Sequence, residues 1–317
     1  MADPILVADI GGTNARFALA EPGDAGPVVR NAQTFRAEDF ETIRDAADAY
    51  FESVGEKARR ACFAVAAPVG EAEITFTNSH WTFRPVEIEQ SLELDRLRII
   101  NDFYALAAGV GHIPNDGFVA VKAGDADPSA PMLVIGPGTG LGQALIVPTP
   151  TAGAVIVSTE GGHVSFAPRD ETEIAVMKFI AREHPRVSVE RLLSGRGLVN
   201  IHRALCAIEG AQRVSLQANE ITKAAIDESY PVAVKAVDMF CSVLGSVTGD
   251  AVLSTGARGG VVLGGGILPK IKDVFLNSDF EQKFLNKGRM RGYVETVPIK
   301  LIVAEGAALY GAAASLS

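Results

Sequence analysis

Asp102 and Asn101 stand where a hydrophobic run, Leu97-Arg98-Ile99-Ile100, gives way to the small-residue stretch 103–109. That pattern predicts a strand ending at Asn101-Asp102 and a helix over Phe103 to Gly109. A carboxylate at a helix N-terminus is held as the anion and can accept a proton from an attacking hydroxyl. The same residue types also serve as helix caps, and spacing alone does not separate the two roles. Glu160 and His163 flank Gly161-Gly162. Two glycines let the chain bend so that a carboxylate acceptor and an imidazole face one small polar ligand. From the spacing alone an internally satisfied turn is the favoured reading of Glu-x-x-His, and a metal pair is disfavoured because no second histidine lies nearby. Glu190 follows Ser188 at a predicted helix start, where the dipole favours it for structural reasons alone.

Three glycine clusters end predicted strands: Gly11-Gly12, the turn Gly136-Pro137-Gly138-Thr139-Gly140, and Gly264-Gly265-Gly266. Rows of backbone N–H groups without side chains form anion cradles, and phosphate is their usual guest. A P-loop is excluded because no Gly-Lys pair occurs in the chain. A dinucleotide fingerprint is excluded by the spacing of Gly136, Gly138, Gly140 and Gly142, which opens a strand and not a helix. Tight hairpins also need glycine. Three clusters at strand ends, two with one pattern, favour phosphate binding. Pro137 removes one donor from the second. Asp9, just before the first turn, could hold Mg²⁺ directly or through water, or cap the turn.

The elements that must position these groups follow from periodicity. Strands are predicted at 5–8 (ending at Asp9), 15–20, 61–67, 97–100, 132–135, 141–147, 260–263 and 301–303. Helices are predicted at 38–58, 103–109, 171–183, 189–208, 218–227, 231–253 and 305–314. The last is so rich in Ala and Gly that close burial between other elements is expected. Residues 114–131 read as a loop-rich boundary. One strand–glycine turn–strand unit recurs about 127 positions later, which indicates an internal duplication.

The 317 residues suit about two domains with a large core. A net charge of −9 argues against nucleic-acid binding, and Lys287, Arg289 and Arg291 read as a solvated basic loop. No run of 18 apolar residues is found, so no membrane span is expected, and no signal peptide is legible, which points to the cytoplasm. Cys62, Cys206 and Cys241 sit in apolar runs and read as buried reduced thiols. Trp81, the sole tryptophan, reads as a half-buried packing residue more readily than a ligand contact.

The segment Asp9 to Arg16 resembles the first phosphate motif of the sugar kinase, hexokinase, actin and heat-shock ATPase superfamily. Gly136 to Gly142 resembles the second, and Val261 to Gly266 its adenosine motif. Ile100-Asn101-Asp102-Phe103, 158–163 and Glu190 to Gly195 are similar to motifs of the bacterial ATP-dependent glucokinases, over essentially the whole chain. Three scattered cysteines cannot form the zinc site of the related repressor and kinase group, so the resemblance is to the zinc-free branch. It implies an α/β, two-domain actin-like ATPase fold with duplicated ribonuclease-H-like cores around a central cleft. The small domain would be residues 1–110 completed by 301–317, and the large one 111–300.

By that resemblance Asp102 is the base for the glucose 6-hydroxyl, and Asn101, Glu160, His163 and Glu190 bind sugar, with Asn78 and Gly138 lining the pocket. ATP would be held by Ala8, Asp9, Ile10, Gly11, Gly12 and Thr13, by Gly138, Thr139 and Gly140, and by Gly264, Gly265 and Gly266, with Mg²⁺ at Asp9. A homodimer is also implied. Three other readings stay open: a kinase of another hexose or of an N-acetylated aminosugar, a non-catalytic sugar sensor, or a nucleotide hydrolase. A sensor of the related group would carry an N-terminal DNA-binding segment, for which a first strand at Ile5 is expected to leave no room.

Overall fold

The computed structural model describes residues 3–316 except 25, 71, 77, 78, 152, 212 and 213. The chain forms two compact units, Met1–Gly117 with Ala304–Ser317, and Phe118–Val303.

In the first unit, β1 (Ile5–Ile10), β2 (Asn14–Glu21) and β3 (Val28–Arg36) form an antiparallel meander. Helix α1 (Ile43–Val54) follows. Then come β4 (Arg60–Val65), the small hairpin β5 (Ile74–Thr75) and β6 (Thr82–Phe83), and α2 (Pro85–Ser91). Strand β7 (Arg96–Asn101) leads into α3 (Asp102–Gly109). The sheet order is β3-β2-β1-β4-β7, with β1, β4 and β7 parallel. Residues 38–58 hold less helix than their periodicity predicts. Thr42 caps α1 in a capping box with Asp45, and Gly55 closes it in the left-handed conformation at φ 67°. Trp81 is fully buried, and its indole N–H donates to the Phe40 carbonyl at 3.1 Å, so its role is packing.

The second unit opens with β8 (Phe118–Lys122), a strand inside the stretch expected to be loop. Strands β9 (Met132–Pro137), β10 (Leu141–Thr149) and β11 (Gly153–Thr159) form the second meander. Helices α4 (Glu171–Ile180), α5 (Gly195–Glu209), α6 (Ala218–Ile226) and α7 (Pro231–Thr255) follow. Then come β12 (Gly260–Leu263), the short α8 (Lys272–Leu276), α9 (Phe280–Leu285) and α10 (Arg291–Glu295), and β13 (Ile299–Ile302). The sheet order β11-β10-β9-β12-β13-β8 repeats the first sheet, with parallel β9, β12 and β13 and one added antiparallel strand, β8. Helix 189–208 is broken where it was expected to be continuous. Val189–Arg191 is a 3-10 turn, and Ser194 then caps α5 by accepting from Gly197 N at 3.0 Å.

Helix α7 is long and apolar enough to cross a membrane by length and composition alone, although Lys235, Asp238 and Asp250 interrupt its apolar run. Of its most apolar 18-residue window 67% is buried inside the protein, and its buried face belongs to the second core, as in the core helix of a folded domain. Lys287 departs from the solvated loop expected for the basic cluster. Its side chain is 2% exposed and donates to the α7 carbonyl of Ser246 at 2.8 Å and to Asp250 at 2.9 Å. Asp250 also pairs with Arg169. All three cysteines are buried and free, and burial pushes the Cys62 and Cys241 thiols up to about 12.

The final helix, α11 (Ala307–Ala314), belongs to the first unit and packs on α3. A methyl on Gly311 would stand 1.7 Å from the Ala105 carbonyl oxygen, and one on Gly109 would stand 2.8 Å from that of Ala307. The close burial expected of this small-residue helix is observed, and α11 fixes the helix that begins with Asp102.

Candidate active site

In the first unit, the register Ile10↔Val65↔Asn101 sets the C-terminal ends of β1, β4 and β7 side by side. Asn101 caps α3: its Oδ1 accepts from Phe103 N at 2.9 Å and Tyr104 N at 3.1 Å. Its Nδ2 donates to Asp102 Oδ1 at 3.0 Å, and Phe103 N also reaches that oxygen at 2.9 Å. Asn101 therefore takes the cap role. Asn101 satisfies the helix end and holds Oδ1 of Asp102, which leaves Oδ2 for a ligand.

The helix-end argument predicts an ionised Asp102, but the surroundings oppose it. Desolvation, and then the charge of Asp9, raise its carboxyl from the usual 3.8 to about 7, against the Phe103, Asp102 and Asn101 hydrogen bonds that lower it. Burial likewise raises Asp9, opposed by Arg16, its partner across the β1–β2 ladder. Arg16 in turn donates to Thr34 Oγ1 at 2.9 Å and pairs with Glu305 at 3.2 Å. The side chains of Ala8 and Ile10 are packed in the core at 0% exposure, so only their backbone could serve a nucleotide. Asn78 lies outside the described residues.

The glycine turns are more committed internally than their sequence suggests. Gly11 N donates to Asn14 O at 2.9 Å, Gly138 N to Gly140 O at 2.8 Å, and Gly264 N to Ile135 O at 2.9 Å. Gly136 and Gly265 exist for close packing of the second and third turns: a methyl on Gly136 would be 2.2 Å from Gly264 O, and one on Gly265 2.4 Å from Pro137 O. Gly265 also needs its φ of 82°. Thr13, Thr139 and Gly266 remain exposed, and a methyl on Gly266 would meet nothing within 4 Å. Apart from the internally bonded Gly11 and Gly138, the exposed or half-exposed positions of the turns are thus residues 12–13 in the first unit, and 139–140 and 265–266 in the second, fewer than the full set.

In the second unit, Glu160 follows β11 and His163 ends a 3-10 turn, Gly161–His163. Glu160 Oε2 and His163 Nε2 are 3.9 Å apart, and both side chains are exposed. The intervening glycines are there for a reason other than bending. Neither has a positive φ among the glycines that do. A methyl on Gly161 would overlap Gln143 Oε1 at 1.9 Å, and one on Gly162 the Leu141 carbonyl at 2.3 Å. The backbone of both glycines thus packs against β10, while the flanking Glu160 and His163 side chains stay exposed.

Glu190 was expected at a helix start with a sugar-facing carboxylate. It occupies the 3-10 turn, and its Oε2 accepts from Leu141 N at 2.9 Å, at the exit of the second glycine turn. Arg186, which the sequence reading did not single out, donates to the His163 carbonyl at 2.7 Å. Gln143 was also missed. A lone Gln in an apolar strand carries no motif, and only the fold brings it to Gly161.

Among the described residues no group of three or more His, Cys, Asp or Glu forms a metal cage. Mg²⁺ does not require one when phosphates complete its shell. The desolvated Asp9 carboxylate, whose charge also raises Asp102, fits a divalent cation in that mode.

A family profile described as Glucokinase matches residues 6–317. The chain is 42% identical over 312 residues to the glucokinase of Hahella chejuensis, covering 98% of this chain and 96% of that protein. It superposes on the crystal structure of a glucokinase from an Antarctic psychrotroph with a TM-score of 0.86 and 38% identity, over 100% of this chain and 99% of the other. A ROK family glucokinase from Streptomyces griseus, solved with glucose and AMPPNP, shares the fold with a TM-score of 0.67 at 19% identity, over 99% of each chain.

Proposed function

The chain belongs to the glucokinase family, and from that premise we propose that it transfers the γ-phosphoryl group of ATP to the 6-hydroxyl of D-glucose, releasing ADP and glucose 6-phosphate. The observation that carries this reading is Asp102. Its Oδ1 is fixed by Asn101 and Phe103, and burial, with the charge of Asp9, pushes its carboxyl up to about 7. Brønsted behaviour favours a base poised near the working pH, where it is both available and driven to accept a proton. Oδ2 takes the hydroxyl proton as the 6-oxygen forms its bond to phosphorus and the bond to the β–γ bridging oxygen of ATP breaks.

Glu160, His163 and Glu190 are assigned to sugar hydroxyls, where carboxylates accept and imidazole donates or accepts. Asn101 retains one amide N–H for a sugar oxygen after its bond to Asp102. The open amides of 12–13, 139–140 and 265–266 are assigned to the phosphates of ATP. Asp9 would hold Mg²⁺, directly or through water, which neutralises charge on the phosphates. A cytoplasmic homodimer is part of the same reading.

ADP release measured separately with glucose, mannose, fructose and N-acetylglucosamine tests the assignment. Turnover fastest with glucose supports it. Highest turnover with N-acetylglucosamine would move the chain to an aminosugar kinase, and turnover without any sugar would move it to a hydrolase.

A further inference from the structure

We infer that Gln143 is a further sugar-binding residue, its carboxamide kept for a hydroxyl that also meets Glu160; the inference rests on the assignment of Glu160 and His163 to the sugar. Gln143 lies on β10, paired with Ile135 of β9 and Thr159 of β11. Side chains alternate along a strand, so Gln143 shares its face with Leu141 and Leu145, which pack into the second unit's core. A polar residue there breaks the pattern that buries this face. Gln143 is 8% exposed, and its carboxamide makes no hydrogen bond among the described residues; Thr159 Oγ1 reaches only its backbone carbonyl, at 3.4 Å. A largely buried amide without a partner costs stability, and its retention calls for a reason.

The position of the carboxamide supplies that reason. Its tip is not among the unpartnered atoms sealed from solvent, which are His112 Nδ1, His202 Nδ1 and Thr248 Oγ1. It emerges at Gly161, where a methyl would stand 1.9 Å from Oε1 and 3.1 Å from Nε2. Glycine at 161 therefore leaves the amide uncovered, beside Glu160 and two residues before His163, whose side chains are both exposed. The donors and acceptors match as well. A carboxylate only accepts, so a sugar hydroxyl gives its proton to Glu160 and keeps its lone pairs. Nε2 of Gln143 supplies an N–H to that same oxygen. Each bond in such a chain, amide to hydroxyl to carboxylate, strengthens the other.

Calorimetry on the intact protein, wild type and Gln143→Met, with glucose and each of its monodeoxy analogues, tests the contact. Methionine keeps the length of the side chain and removes the amide. The variant should melt at or above the wild-type temperature, because an unpartnered amide gives way to an apolar chain in an apolar layer. Its glucose affinity should nevertheless fall about three- to ten-fold, the loss usual for one uncharged hydrogen bond, with AMPPNP affinity unchanged. Towards the one analogue that lacks the contacted hydroxyl, wild type and variant should bind equally, as a double-mutant cycle requires. A loss for glucose below about two-fold overturns the inference. So does an equal loss for glucose and every analogue, which would mean that Gln143 only shapes the turn at 161–163. If Gln143→Met does not fold, nitrogen NMR of the wild type decides: glucose should shift the side-chain Nε2 signal of Gln143, and an unmoved signal overturns the contact. A wild type that binds no glucose overturns the kinase reading, and this inference with it.

Discussion

The acid limb of the pH–rate profile should belong to Asp102. Its carboxyl moves from the usual 3.8 to about 7, which amounts to about 4 kcal/mol in favour of the protonated form. A base must be deprotonated to act. Near pH 7 about half of the enzyme is competent, and kcat/KM for glucose should fall about ten-fold for each pH unit below 6 and level off above 8. Asp9→Asn removes the second-largest cause of the shift, so the midpoint should move down yet stay well above 3.8, because desolvation remains. Stability carries the opposite sign. Folded Asp102 binds its proton more tightly than unfolded, so it favours folding at low pH, and that contribution is lost as pH rises from 3.8 through 7. Asp102→Asn should therefore raise Tm at pH 8, by at most the equivalent of about 4 kcal/mol, and hardly at pH 4. Steady-state rates from pH 5 to 9 and calorimetric melts at the two pH values are sufficient. A profile flat from pH 5.5 to 8, or a Tm gain confined to acid, would refute the reasoning.

Other substitutions have equally definite outcomes. Glu160→Gln and His163→Ala should each weaken glucose by about 1–3 kcal/mol while leaving AMPPNP affinity nearly unchanged, as separate calorimetric titrations can show; equal losses for both ligands would indicate general unfolding. Gly311→Val would drive α11 into the Ala105 carbonyl, with an expected cost of about 1–3 kcal/mol in chemical denaturation and a lower kcat through displacement of α3. Wild-type kcat in a Gly311→Val protein would show that α3 is not held by α11. Lys287→Met strips the donor from Ser246 O and Asp250, and a loss of about 1–3 kcal/mol should appear in melts with kcat unchanged.

Local signals were legible where one residue type at one spacing does one job. The strand end at Asn101, the Gly-rich turns and the small-residue helix α11 are read directly from the chain, because hairpins, helix starts and close helix packing each restrict composition; β1 runs one residue past Asp9, to Ile10. What escaped depends on contacts distant in sequence. Strand β3 carries Arg30, Asn31, Gln33 and Arg36 at a sheet edge and lacks the clean alternation of a half-buried strand, and β8 is short and flanked by loop residues. Lys287 looked solvated because its partners, Ser246 and Asp250, arrive from a helix about 40 residues earlier. The raised carboxyl of Asp102 was hidden for the same reason. A helix start predicts stabilisation of the anion, whereas the burial and the nearby Asp9 that outweigh it come from sheet pairing. Glu190 read as a helix-start residue, and its bond to Leu141, 49 positions away, could not be seen before folding.

The most direct test of the account follows the product and its base in one experiment. Phosphorus NMR of a reaction with D-glucose and Mg-ATP should show glucose 6-phosphate forming in step with ADP, and Asp102→Asn, still binding glucose, should slow both by about 10²–10⁴-fold. ADP appearing without glucose 6-phosphate, or an Asp102→Asn protein that keeps a tenth or more of wild-type turnover, would contradict it.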